Sequence, residues 1–167
     1  KKTLQVFFAK GIEQPDDPLF SHLIRWENTG KIKTFFSPEV RAEIGDYNAY
    51  DHVKQNLHPE YNTWDHLARA QYLETKIFLS NYLLSSQGDR MAMANSLEIR
   101  LPYLDPNLME FMGRVPAKWK ILGLKEKHIL KKSFQGFLPE DIIDRPKHPY
   151  RAPIEQSLLN EKTGYTQ

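Results

Sequence analysis

The 167-residue chain is 40% hydrophobic and 26% charged, enough apolar content for one domain with a core of its own. Cysteine is absent, which excludes a disulfide framework or a thiolate metal site, and no run of about 18 apolar residues exists that would cross a membrane. The net charge of +2 is too small to imply nucleic acid, but it is uneven: from Arg114 to Arg151 ten Lys or Arg stand against four acids.

Along the chain, Thr3 to Ala9 fits either a short strand or a helix end, and periodicity over so few residues does not decide. Asp17-Pro18 reads as an N-cap with proline at the first helical position, and Leu19, Phe20, Leu23, Ile24 and Trp26 form an apolar face before Gly30. Ser37-Pro38 repeats that signal for a short helix with Val40 and Ile44, ending at Gly45, and a third helix covers Tyr47 to Leu57. The longest periodic segment runs from Trp64 to about Tyr82, and with Leu83 and Leu84 following, it predicts a helix buried on most sides. Ser86 and Asp89 have the spacing of a capping-box variant, which starts a helix through Met91 and Met93 to about Asn95.

Arg100-Leu101-Pro102 predicts an extended link, because the residue before proline avoids helical geometry. Asp105-Pro106 opens a helix with Leu108, Met109, Phe111 and Met112 inward. Lys125 to Gln135 reads as a basic amphipathic helix with Ile129, Leu130 and Phe134 on one side, and Leu138 to Asp141 begins a single turn carrying Ile142 and Ile143. The proline-rich stretch Arg145 to Pro153 is a loop, followed by a last short helix from Pro153 to Asn160. With no repeat, no low-complexity tract and no parallel-sheet pattern, the expected fold class is all-α, an irregular helical bundle forming one domain over residues 1–167.

Chemistry concentrates between Asp89 and Asp105, in DRMAMANSLEIRLPYLD. Charged Asp89, Arg90, Glu98, Arg100 and Asp105 alternate with Met91, Met93, Leu97, Ile99, Leu101 and Leu104, which predicts ionisable groups held against buried surface. Glu98 and Arg100 lie two apart in an extended segment and so point to the same side. That spacing suits a buried ion pair fixing the link between two helices, or else two groups facing one cavity. Lys147, flanked by Pro146 and Pro149, suits either a loop lysine presented to an anion or a solvated one. The phosphate-loop, H-E-x-x-H and G-x-S-x-G patterns are missing, and the six histidines show no ligand spacing, so no metal site is expected.

The stretch SLEIRLPYLD, residues 96–105, resembles the S-L/V-E-x-R-x-P-F/Y-L-D signature of the synthetase domain of glutamine-hydrolysing asparagine synthetases. QYLETKIFLSNYLL and DRMAMANS upstream are similar to the same family. So, downstream, are Lys127-His128-Ile129-Leu130-Lys131, Leu138-Pro139, Arg145-Pro146-Lys147 and Ala152-Pro153, in the family's order. The likeness extends from about Trp64 to Ile154. It implies the C-terminal helical part of an α/β adenylating synthetase domain of the ATP-pyrophosphatase type, in a cytoplasmic enzyme that adenylates aspartate and uses glutamine-derived ammonia.

By the same resemblance, Glu98 corresponds to an active-site glutamate acting on ammonia or organising the acyl-adenylate. Lys147 corresponds to a lysine reaching the α-phosphate, with the loop after it a candidate lid. Arg100 neighbours Glu98 in the motif, and Arg145, Lys127 and Lys131 would serve pyrophosphate. ATP and Mg2+ would act in the whole enzyme, with neither held tightly by this chain alone, because the S-G-G-x-D-S loop and the glutaminase cysteine of the family are not in it. Residue 1 being lysine, the expectation is a part of a longer polypeptide whose partners are the rest of the synthetase and a glutaminase domain, with neither nucleic acid nor membrane involved. A relative making another amide or a β-lactam shares the same frame. A non-catalytic helical module binding an acidic partner, or nucleic-acid binding over residues 114–151, are readings from other classes; against the latter, aromatic residues are not interleaved with that charge.

Overall fold

The computed structural model describes residues 14–147, in two compact units that divide after Ala117. The expectations for Thr3 to Ala9, the loop beyond Lys147 and the helix Pro153 to Asn160 lie outside the described residues.

In the first unit, Asp17 organises the entry to α1 (Phe20–Gly30). Its Oδ1 accepts the Leu19 N–H at 2.7 Å, and its Oδ2 receives Lys54 Nζ at 2.8 Å. Burial pushes this carboxyl up, but the Lys54 ammonium and the Leu19 N–H outweigh it and hold it below the usual value. A 3₁₀ turn, Lys31–Phe35, leads to α2 (Pro38–Ile44), where the Ser37 hydroxyl accepts the Val40 N–H and Gly45 leaves at φ +55° as the sequence predicts. Asn48 caps α3 (Ala49–Gln55), and Asp65 caps α4 (His66–Leu73) by accepting the Ala68 N–H at 2.8 Å.

The core gathers Leu19, Leu23, Tyr61 and Leu73, with Trp26, Tyr50, Val53, Leu57, Trp64, Tyr72 and Ile77 packed around them. Tyr61 is buried at little polar cost because its hydroxyl donates to the Pro18 carbonyl at 2.6 Å. His22, 4% exposed, sits at the edge of this core with Nδ1 2.8 Å from Ser21 Oγ and Nε2 3.3 Å from Glu74 Oε1. The second contact is electrostatic rather than an aligned hydrogen bond, and Arg25 Nη1 already takes the same carboxylate oxygen at 3.0 Å. Burial therefore prevails over the pull of Glu74 and lowers the imidazole's pKa, so His22 is neutral in the fold.

A stability consequence follows from linkage. The unfolded imidazole takes up a proton near its ordinary value of 6.5 and the folded one only at lower pH, so protons favour the unfolded chain. Stability should be fully present above that value and decline as pH falls below it, by at most about 1.4 kcal/mol per pH unit from this group. Urea unfolding from about pH 7 to pH 5 checks this, with His22→Gln expected to flatten the slope. Equal slopes in the two proteins would refute the assignment.

After Leu73 the chain continues without a break into a π-helical segment, Glu74–Gln87. The prediction of a helix buried on most sides fails here: Phe78 and Tyr82 are exposed. The wider turn, closed by i→i+5 bonds, moves residues placed at 3.6-residue spacing off a common face. The segment ends at Gly88, which precedes α5 (Asp89–Ala94) with no side-chain cap, so the Ser86–Asp89 capping box does not form. A 3₁₀ turn, Pro102–Leu104, then leads to α6 (Pro106–Arg114). Leu108 and Met112, one turn apart, are half-buried, whereas Met109 and Phe111 face outward; the helix packs along a single i,i+4 stripe.

The second unit begins within α7 (Ala117–Lys120) and contains a small antiparallel hairpin, β1 (Ile121–Leu122) and β2 (Lys125–Glu126), with Ile121 opposite Glu126 and Leu122 opposite Lys125. Gly123 at φ +60° supplies the turn. The basic helix expected over Lys125 to Gln135 is correspondingly shorter, α8 (His128–Ser133), because Lys127 adopts the left-handed conformation, φ 56° and ψ 35°. Lys132 Nζ lies 5.1 Å from the centre of the Trp119 ring, which also stacks on His128. The last described helix, α9 (Glu140–Ile143), buries Ile143. Apart from the two short strands, the regular structure among the described residues is helical, as the sequence predicts.

Candidate functional site

The segment from Ser96 to Asp105 owes its shape to three of its own residues. Ser96 takes φ +58° just past α5, where its N–H donates to Met93 O and the Leu97 N–H to Ala92 O, at 3.1 and 2.9 Å. This is the six-to-one, five-to-two closure that usually places glycine at that position. It turns the chain out of the helix into an extended run. Pro102 then opens the 3₁₀ turn, and Asp105 Oδ1 accepts the Leu108 N–H at 3.0 Å to start α6. Glu98 and Arg100 are thus carried on an extended bridge fixed at both ends by backbone capping.

On that bridge the two side chains meet, as their spacing predicts: Arg100 Nε donates to Glu98 Oε1 at 2.6 Å. Among the described residues Glu98 Oε2 accepts no hydrogen bond. The expectation that these charges lie against buried surface is overturned. The side chains of Glu98 and Arg100 are 68% and 85% exposed, and of residues 89–105 only Ala92 is buried. No described element covers the bridge, so Met91, Met93, Leu97, Ile99 and Leu101 are exposed beside the charges. The pair pays no large desolvation cost and contributes little to stability.

In the second unit, Lys131 Nζ donates to the Arg145 carbonyl at 3.4 Å, tying the chain just before Lys147 to α8. Lys147 Nζ lies 3.9 Å from Glu126 Oε2 on β2. The side chains of Lys127 and Arg145 are exposed and have no partner among the described residues. Glu98 with Arg100, Lys131 with Arg145, and Lys147 with Glu126 are the associations formed by the residues the sequence singled out. Glu126 is not among the residues the sequence singles out, because Lys125 to Gln135 reads as one helix and the hairpin takes its first two residues. The available signal was Gly123-Leu124 between Ile121-Leu122 and Lys125-Glu126, a two-residue glycine-containing turn. Among the described residues, no group of three or more His, Asp or Glu is placed to hold a metal ion.

The sequence profile of the asparagine synthase family matches residues 10–165. The chain is 42% identical over 85 residues to asparagine synthetase (glutamine-hydrolyzing) 3 of Bacillus subtilis, covering 50% of this chain and 14% of that protein. It is 28% identical over 135 residues to asparagine synthetase (glutamine-hydrolyzing) 1 of the same organism, covering 79% and 21%. It is also 34% identical over 123 residues to the amidase chyE of Penicillium rubens, covering 70% and 17%. The match thus covers 14% to 21% of the length of these curated relatives. No solved structure matches it.

Proposed function

We propose, from the premise that the chain belongs to the asparagine synthase family, that it is the C-terminal helical part of an ATP-dependent, glutamine-hydrolysing asparagine synthetase. In this reading aspartate attacks ATP to give an acyl-adenylate and pyrophosphate, and ammonia then displaces AMP to form the amide. The observation that carries it is the presentation of Glu98 and Arg100, together and exposed, on the extended bridge of the S-L-E-I-R segment in a chain of this family.

Chemically, each step asks for something these residues offer. Adenylation and its reversal concentrate negative charge on the α-phosphate and on pyrophosphate, and a cation at Lys147, aided by Arg145, Lys127 and Lys131, stabilises that charge as it develops. Attack by ammonia on the acyl carbon requires loss of a proton from nitrogen, and Glu98 Oε2 is an acceptor open to it while Arg100 orients the carboxylate through Oε1. The exposed apolar side chains from Met91 to Phe111 support a segment that packs against the remainder of such a synthetase.

Similarity to the fungal amidase favours a second reading, a synthetase of the same family that forms a different amide. One assay separates the two. The synthetase that carries this segment, given aspartate, ATP and an ammonium salt, should release AMP and form asparagine in equal amounts. AMP release that requires another carboxylic acid would support the second reading, and failure to release AMP with any carboxylic acid would overturn both.

A further inference from the structure

The segment that carries Lys147 is held at two points. Its backbone is tied at Arg145 by the hydrogen bond from Lys131 on α8, and its ammonium group is met by the Glu126 carboxylate, 3.9 Å away on β2. The hairpin is short, but its geometry is set: Ile121 opposite Glu126, a turn at Gly123, and a left-handed residue at Lys127 immediately after. Both partners of the Lys147–Glu126 pair are more than half exposed, so the contact is weak and readily exchanged. In sequence, further cations stand near the pair, Lys125 and Lys127 beside Glu126 and Arg145 beside Lys147, while Glu140, Asp141 and Asp144 precede Arg145. A carboxylate placed on the lysine that the family motif singles out is a competitor for the phosphate oxygens that lysine would bind.

We propose that Glu126 is a positioning residue for Lys147, holding its ammonium group against the hairpin until a phosphate or pyrophosphate oxygen takes the carboxylate's place. This rests on the reading of Lys147 as a phosphate-binding cation. Exchange of one anion for another keeps the lysine neutralised throughout and fixes where its ammonium waits. A phosphate oxygen of higher charge density wins the exchange, and the carboxylate recovers the lysine when the phosphate leaves.

The test is calorimetric titration of the synthetase that carries this segment with inorganic pyrophosphate at low ionic strength, using Glu126→Gln, Lys147→Gln and the double variant, with Glu126→Asp as the conservative replacement. Glu126→Gln should tighten pyrophosphate binding about threefold, the scale of an exposed ion pair, and Glu126→Asp should restore most of the original affinity. In the Lys147→Gln background the same substitution should have no effect. An equal gain in that background would mean simple repulsion of pyrophosphate by a nearby carboxylate and would overturn the proposal. Weaker binding in Lys147→Gln with no change in Glu126→Gln would overturn the role of Glu126 alone. Unchanged affinity in Lys147→Gln, or no binding by the unsubstituted synthetase, would overturn the phosphate reading of Lys147 as well.

Discussion

Replacing Glu98 by alanine in the synthetase that carries this segment is expected to lower amide formation about 100-fold or more, the usual cost of losing a positioned general base, while glutamine hydrolysis stays near its original rate. The expectation comes from geometry as well as from the motif. Glu98 sits on a bridge held by the Ser96 turn and the Asp105 cap, with one oxygen engaged by Arg100 and the other open. Exchange of labelled pyrophosphate into ATP, which reports adenylation alone, divides the two possible roles. If Glu98 acts on ammonia, exchange survives in Glu98→Gln although no amide forms; if it organises the adenylate, exchange is lost too. On the proposed role of Lys147 as the cation that stabilises departing pyrophosphate, Lys147→Ala should lose both exchange and synthesis. Amide formation by Glu98→Ala within about twofold of the unsubstituted rate would remove Glu98 from the mechanism, since even a modest general-base contribution exceeds that. Within this segment both side chains are exposed and neither truncation opens a core cavity, and retained glutamine hydrolysis with an unchanged Tm would show that a loss of synthesis is not a loss of fold.

What the sequence disclosed about this site was its local chemistry. Ser37 and Asp105 were legible as caps because a short polar side chain before Pro38 and Pro106 has one low-energy use there. The meeting of Glu98 and Arg100 was legible because extended residues two apart share a side. The exposure of that pair was not, since apolar neighbours such as Met93 and Leu97 imply burial only when another element covers them, and none of the described elements does. Nor was the hairpin: Lys125, Glu126 and Lys127 suit a helix by propensity, and two strands of two residues leave almost no alternating pattern to read. The π-helical run from Glu74 was hidden for a related reason. Its side chains fit an ordinary helix, and what widens the turn lies in backbone bonding rather than in any residue type.

Where that run ends, a single glycine decides whether the bridge is launched at all, and Gly88→Ala is expected to destabilise the chain by roughly 2–3 kcal/mol. A Cβ built on Gly88 would lie 2.7 Å from the Leu83 carbonyl oxygen and 3.5 Å from Leu84 Cα. Those are backbone atoms of the preceding turn, so no side-chain rotation relieves the overlap, and the entry to α5 would have to shift. The displacement would pass directly to Glu98, because α5 is only six residues long and ends in the turn at Ser96 that sets the bridge. For a chain of this size the loss corresponds to a fall in Tm of roughly 5–10 °C. Gly113 is the matched control. It lies within α6, and a Cβ there meets nothing within 4 Å, so Gly113→Ala should stabilise by about 0.5–1 kcal/mol through helix propensity. Thermal unfolding followed by circular dichroism should therefore move the two variants in opposite directions. A Gly88→Ala protein melting at or above the unsubstituted chain would show that the turn before α5 is not the tight joint its backbone contacts require.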